Sequence, residues 1–397
     1  MQIEMPSSKK DADRRTVLFA IGFRPFFLLA GLSAVGLMLL WLWQLSSQQI
    51  SSHYYSSVTW HSHEMLFAYT VAVIAGFLLT AVGNWTSTRT LFGWPLFLLS
   101  LVWIVPRILA FIPGVPNWTI ALVDLSFIPL LTIAIAIPLI RAKSWSNLIF
   151  IPILLLMALS NLLVHSSLLG WTSLPTTTGT RLMLYLVILL IVIMGGRVIP
   201  FFTERGVSGV KTRTWSWIEK LSILSLILLA IADVFETNKT LVSSLAAITT
   251  VLHAIRLGGW YSNRICAVPL VWVLHSAYVW IITGFILKSL AIISSMTELY
   301  AWHAFTIGGI GIITLGMMAR VSLGHTGRMM QASKWITLAF ILINIATLIR
   351  VAFPLVFQNN YSMLIIISGS LWSIAFILFA IVYTPMFLQS RVDGRRT

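Results

Sequence analysis

The chain has 397 residues, 58 % of them hydrophobic and only 9 % charged, with a mean hydropathy of +0.93. A soluble domain needs about a quarter of its residues charged, so this composition excludes a soluble enzyme and points to an all-α polytopic membrane protein with little mass outside the bilayer. The net charge of +15 is read as basic flanks facing the cytoplasm, and no nucleic-acid partner is expected.

A helical span needs about 20 apolar residues. Runs of that length lie near 26–45, 64–83, 94–112, 118–140, 147–168, 182–202, 217–235, 240–257, 268–292, 301–319, 335–354 and 362–387. They predict about twelve spans in one integral membrane domain covering 1–397, with 1–22 as a short cytoplasmic N-terminal segment. The first run is broken by Arg24-Pro25 and is longer than a signal-peptide core, so it reads as a retained anchor. Lys9, Lys10, Arg14, Arg15 and Arg24 place the N-terminus inside. Alternation then puts most other basic residues inside too, while the outer loops 46–60 and 169–180 hold none. Both termini are therefore expected in the cytoplasm.

Four basic residues break this pattern: Arg107, Arg181, Lys288 and Arg350 fall at outer ends of spans. Either they snorkel or pair with Asp124, Asp233 or Glu298, or they meet anionic groups of a bound cofactor. Arg197, in Gly195-Gly196-Arg197-Val198-Ile199-Pro200-Phe201-Phe202 at the inner end of span six, is read as buried and as a further candidate for a propionate or a lipid phosphate.

The stretch Trp60-His61-Ser62-His63-Glu64-Met65 opens span two with two imidazoles and a carboxylate, groups that hydrocarbon does not hold without a reason. On a helix His61 and His63 stand roughly 200° apart and cannot share one metal, whereas His61 and Glu64 share a face. With His53, His165 and His303 they form an outer layer of histidines. His253, His275 and His325 form an inner layer, near Met317, Met318, Met329 and Met330, and two layers allow two metal sites. The single Cys266 excludes a thiolate zinc site or an iron–sulfur cluster, which leaves imidazole, carboxylate and thioether. Imidazole suits haem iron and copper. His61, His63, His165 and His303 with Arg107, Arg181 and Arg350 at the same level form a coherent haem-site hypothesis. Below His303, Ala304, Gly308 and Gly311 leave a bare stripe that either a flat macrocycle or a neighbouring helix could approach.

His61-Ser62-His63-Glu64-Met65, the Gly195–Phe202 run, Phe23-Arg24-Pro25-Phe26-Phe27 and the stretch from Leu315 through Leu323-Gly324-His325-Thr326-Gly327-Arg328 together resemble the NnrS family, in order along the whole chain. The family pattern often has Ala where Ser62 stands. The resemblance implies a twelve-span bacterial inner-membrane protein carrying haem and copper, with a role in nitric oxide metabolism and tolerance of nitrosative stress. Haem–copper oxidases offer a fold-level analogy, since they place haem ligands on spans two and ten. The histidines they use on spans six and seven are missing here. The expected cofactors are haem, taken as b-type, and copper. The expected ligand is nitric oxide, with lipid around the protein, Glu64 as proton-delivery candidate and an unidentified electron donor. Three activities stay open: reduction of nitric oxide to nitrous oxide, sensing or buffering without turnover, and transport of haem, copper or a small anion.

Overall fold

A computed structural model describes residues 17–47, 52–292 and 295–394, apart from the side chains of 295–297 and 358. Lys9, Lys10, Arg14, Arg15, Arg395 and Arg396 lie outside the described residues. The structure is 81 % helical, with no strand among the described residues. Backbone in hydrocarbon must satisfy its own hydrogen bonds, so long apolar runs settle as helices.

Among the described residues ten helices are long and apolar enough to cross a membrane: α1 (Phe23–Ser47), α2 (Ser57–Thr86), α4 (Asn117–Arg141), α5 (Trp145–Leu168), α6 (Thr176–Gly206), α8 (Lys239–Trp260), α9 (Pro269–Leu290), α10 (Glu298–His325), α11 (Lys334–Val356) and α12 (Tyr361–Phe387). Two further helices fall where spans were expected but are not long and apolar enough to count with these ten. α3 (Trp94–Leu109) is short, and α7 (Ser216–Val234) carries Glu219, Lys220 and Asp233. Several helices begin before their apolar runs. α2 starts at Ser57, where the Ser56 side chain accepts from Thr59 N. The cap satisfies an otherwise orphaned donor, so both His61 and His63 are helical.

The bundle is organised around every fourth helix. The most apolar stretches of α2, α10 and α6 are 83, 78 and 67 % buried, against 22–44 % for α1, α4, α5, α8, α11 and α12. α10 packs on α2, α6, α9, α11 and α12, and α1 packs on both α2 and α12, which closes the ring. The outer helices turn Leu122, Ile133, Ile140, Leu228, Ile248 and Ile381 outward, as lipid-facing helices do.

Both central helices that carry outer-layer histidines widen at the same place. Glu64–Thr70 in α2 and Ala304–Gly311 in α10 are π-helical, and the residues capping these segments are His63 and His303. Such i→i+5 segments concentrate at functional sites. Thr70 Oγ1 donates to Met65 O at 2.8 Å, using a carbonyl within the widened turn.

The bare stripe on α10 is filled by protein. A Cβ at Gly308 would lie 2.5 Å from Trp280 Cβ and 2.9 Å from Thr347 Cγ2, and one at Gly311 would lie 2.3 Å from the Trp372 ring. The small residues let α9, α11 and α12 approach, so a macrocycle against this stripe is ruled out by packing.

Candidate functional site

Two groups of outer-layer side chains form, and they separate His61 from His63. The first lies between α2, α3, α4 and α5. His63, Glu64, Asp124, Asn161 and His165 are all at most 4 % exposed. Asp124 is the hub. Its Oδ1 is ion-paired with Arg107 Nη2, and its Oδ2 accepts from Asn161 Nδ2 at 2.8 Å and from His165 Nε2 at 3.1 Å, with His63 Nε2 at 3.4 Å. Arg107 also reaches Glu64, with Nε 2.9 Å from Oε2.

Both nitrogens of His63 face acceptors: Nδ1 stands 3.1 Å from Glu64 Oε1 and Nε2 3.1 Å from Asn161 Oδ1. A doubly protonated ring satisfies this arrangement. Two cations, His63 and Arg107, then balance two anions, Glu64 and Asp124, and that balance is what makes burying the group tolerable. His165 accepts from Tyr54 O–H at Nδ1, 2.8 Å, and donates from Nε2. Tyr54 and Tyr55 lie in the loop before α2. Burial pushes both phenols up, with the Glu64 charge adding to the effect on Tyr55, so Tyr54 keeps the proton it donates.

His63, Asp124 and His165 also offer one ligand atom each within 4.8 Å of one another. Ligands held tetrahedrally at about 2.0–2.1 Å from a metal stand about 3.3 Å apart, which the 3.4 and 3.1 Å separations around Asp124 Oδ2 match. A borderline metal such as copper or zinc would fit this donor set with the Nε2 proton of His63 displaced and the ring proton of His165 moved to Nδ1, where it donates to Tyr54 Oη.

The second group joins α2, α10 and α11. His61 turns away from Glu64 and stacks on Trp41, centroids 4.4 Å apart and planes 17° apart. Its Nδ1 is buried and reaches no hydrogen-bond partner. His303 donates from Nδ1 to Leu299 O at 2.8 Å, which fixes the tautomer and leaves Nε2 with a free lone pair, the form a metal needs. His61 and Arg350 are both within electrostatic range of His303, and Arg350 of His61. Arg350 is 8 % exposed; Nη2 donates to Tyr361 OH at 3.0 Å, while Nη1 is buried without a partner.

The arginines divide accordingly. Arg107 is held by Asp124 and Glu64, and Arg181 by Glu236 at 2.5 Å with Glu298 at 3.9 Å. Lys288 sits 2.7 Å from both Asp233 and Glu298. For these three the account is pairing inside the protein, as the nearby carboxylates suggested. Arg350 has no acidic partner among the described residues. Arg197 is exposed rather than buried, at the opposite end of α6 from Arg181, and donates to Asn147 Oδ1 at 2.8 Å.

The inner histidines do not converge. His253 Nδ1 accepts from Tyr278 OH at 2.6 Å and its Nε2 faces Ser222 O. His275 nitrogens face Val271 O and Trp260 O. His325 packs against Phe23. Met318 is fully buried, whereas Met329 is 80 % exposed. Among the described residues the one His/Asp trio with metal-ligand spacing is His63–Asp124–His165; of the inner histidines, His253 and His275 are hydrogen-bonded to protein groups and His325 packs on Phe23. The exposed His53 faces Val115 O.

Asp124 was legible only as a partner for arginine, and its hub role needs the fold. Asn161 stands four residues before His165 on an apolar helix, a spacing that places both on one face. Tyr54 and Tyr361 carried no signal.

Ten apolar helices among the described residues, with a buried His–Asp–His group in the protein interior, define a polytopic membrane protein with a group that could hold a metal. The NnrS protein family model matches residues 17–391, and the chain belongs to that family, which binds metal and is linked to nitric oxide metabolism. No curated protein matches the chain.

Proposed function

We propose that the protein binds haem between His61 and His303 and uses it to capture nitric oxide in the bacterial inner membrane, contributing to its removal. The observation that carries this reading is the pairing of two metal-competent imidazoles from the two most buried helices with a carboxylate-free Arg350. His61 has an unpartnered buried nitrogen, and His303 has its Nδ1–H fixed on Leu299 O. Arg350 Nη1 is an orphaned buried donor, a costly state that a propionate relieves. His63 is assigned to the Asp124 group rather than to the iron, because both of its nitrogens face Glu64 and Asn161 within that group. Haem held by these residues would supply an iron able to bind nitric oxide once one of the two imidazoles gives way.

The chain's own residues do the rest. His303 is held in one tautomer by its own helix, and Trp41 fixes the His61 ring plane. One helical turn away, Glu64 and His63 share a proton across 3.1 Å, with Arg107 stabilising the carboxylate. This pair is placed to hold a proton for a reduction that consumes protons and electrons, the electrons coming from an external donor. His63, Asp124 and His165 are proposed as the copper ligands, on the spacing of their donor atoms.

The test is the haem and copper content of protein purified from haem-replete cells, followed by exposure to nitric oxide with a reduced donor. Sustained nitrous oxide release indicates reduction, and a stoichiometric spectral change without gas indicates capture alone. Protein isolated free of iron overturns the proposal.

A further inference from the structure

Two sequence motifs far apart along the chain meet at the end of the bundle where the described residues begin and end. The Phe23 and His325 rings lie 5.6 Å apart, which brings Phe23-Arg24-Pro25-Phe26-Phe27 against Leu323-Gly324-His325-Thr326-Gly327-Arg328. The segment that follows α12 closes over both. Val392 N donates to Thr326 O at 3.1 Å, and Arg391 Nη1 donates to His325 O at 3.0 Å.

Three guanidinium groups gather here. Arg24 is 0 % exposed. Its Nη1 donates to the carbonyls of Met386, Phe387 and Gln389 at 3.2, 2.8 and 2.7 Å, yet its Nε and Nη2 are buried and reach no partner. Arg328 Nη2 donates to Gln389 Oε1 at 3.0 Å, and its Nη1 is buried and unpartnered. Arg391 grips Asp393 with two hydrogen bonds, 2.9 and 2.5 Å. Arg328 and Arg391 lie within electrostatic range of Arg24, and Arg24 and Arg391 within range of His325. Asp393 pairs with Arg391, which leaves two guanidinium charges and three buried N–H-bearing nitrogens without an acceptor among the described residues. Guanidinium stays charged under all ordinary conditions, and a charge buried as fully as that of Arg24 calls for a counter-charge. The orphaned edges suit an oxyanion: guanidinium forks match phosphate oxygens in pairs.

We propose that Arg24, Arg328 and Arg391 form a binding site for a phosphate group, which ties the first helix, the loop after α10 and the segment after α12 into one unit. The phosphate belongs either to an anionic lipid headgroup or to free inorganic phosphate. The site is independent of the haem reading.

The test uses the full-length protein. In detergent, thermal unfolding and tryptic cleavage after α12 are followed against inorganic phosphate, with chloride at matched ionic strength as control. The same readouts are taken in nanodiscs of phosphatidylglycerol and of phosphatidylcholine. A saturable rise in melting temperature with phosphate, weakened at least about 10-fold by Arg328→Gln and retained in part by Arg328→Lys, establishes the free anion. Stabilisation confined to phosphatidylglycerol, and lost in Arg328→Gln, establishes the lipid. Arg24 is left intact because it also holds three carbonyls. Elution of each variant as a single species shows that it is folded. No response beyond chloride in either medium, or a response unchanged in Arg328→Gln and Arg391→Gln, overturns the proposal.

Discussion

Replacing Asp124 by Asn tests whether the outer cluster is held by a balance of buried charge. The carboxylate is 4 % exposed and faces Arg107, Asn161, His165 and His63. Neutralising one member of a buried pair costs about 3–5 kcal/mol when the other charge loses its compensation. Arg107 keeps Glu64 at 2.9 Å, so the lower end applies, about 3 kcal/mol. The Asn side chain presents one oxygen and one NH₂ where there were two acceptors, which orphans at least one donor and adds about 1 kcal/mol. The expected loss is therefore about 4 kcal/mol, read from reversible unfolding in mild detergent by tryptophan fluorescence. Adding Arg107→Gln removes the stranded cation. The double variant is expected to be more stable than the sum of the single losses predicts, by at least about 1.5 kcal/mol. An Asp124→Asn protein within about 0.5 kcal/mol of the parent, or strict additivity in the cycle, refutes the charge-balance account.

Three further outcomes are expected. Gly311→Ala drives a methyl to 2.3 Å from the Trp372 ring and destabilises the protein by about 1–3 kcal/mol; Gly36→Ala, with nothing within 4 Å, is neutral or stabilising by up to about 1 kcal/mol, and equal effects at the two sites contradict the packing seen here. His165→Ala lowers bound copper without changing the haem spectrum, and unchanged copper moves the metal elsewhere. Arg350→Gln leaves the position of the haem absorption bands in place but speeds haem loss to an acceptor protein by about 10-fold, the loss of one charge-assisted contact; an unaltered loss rate removes Arg350 from the site.

Much of the fold could be read from the sequence because hydrocarbon leaves a chain few choices. Apolar run length gave the places of the long helices along the chain. Helix starts were less legible: polar first turns such as Ser57–His63 belong to their helices through caps, which run length does not register. The angular argument separating His61 from His63 carried over directly, since both are helical and they join different groups. The shared face of His61 and Glu64 did not, because Glu64 opens a π-helical segment and bends to its neighbour His63 and to Arg107. Which outer arginines find carboxylates depends on helix neighbours, information that spacing along the chain does not contain. Arg107 meets Asp124 from the next helix, whereas Arg181 meets Glu236 across a longer stretch of chain. The inner histidines looked like a layer in projection, yet each faces a carbonyl, a tyrosine or a neighbouring ring rather than another histidine.

The most direct measurement is the optical spectrum of the ferrous protein before and after nitric oxide, in the parent and in His61→Ala, His303→Ala and His63→Ala. Haem absorption and its nitric oxide response should be lost or strongly altered in the first two variants and preserved in the third. A colourless parent, or a parent-like spectrum in both His61→Ala and His303→Ala, contradicts the assignment of iron to this pair of helices.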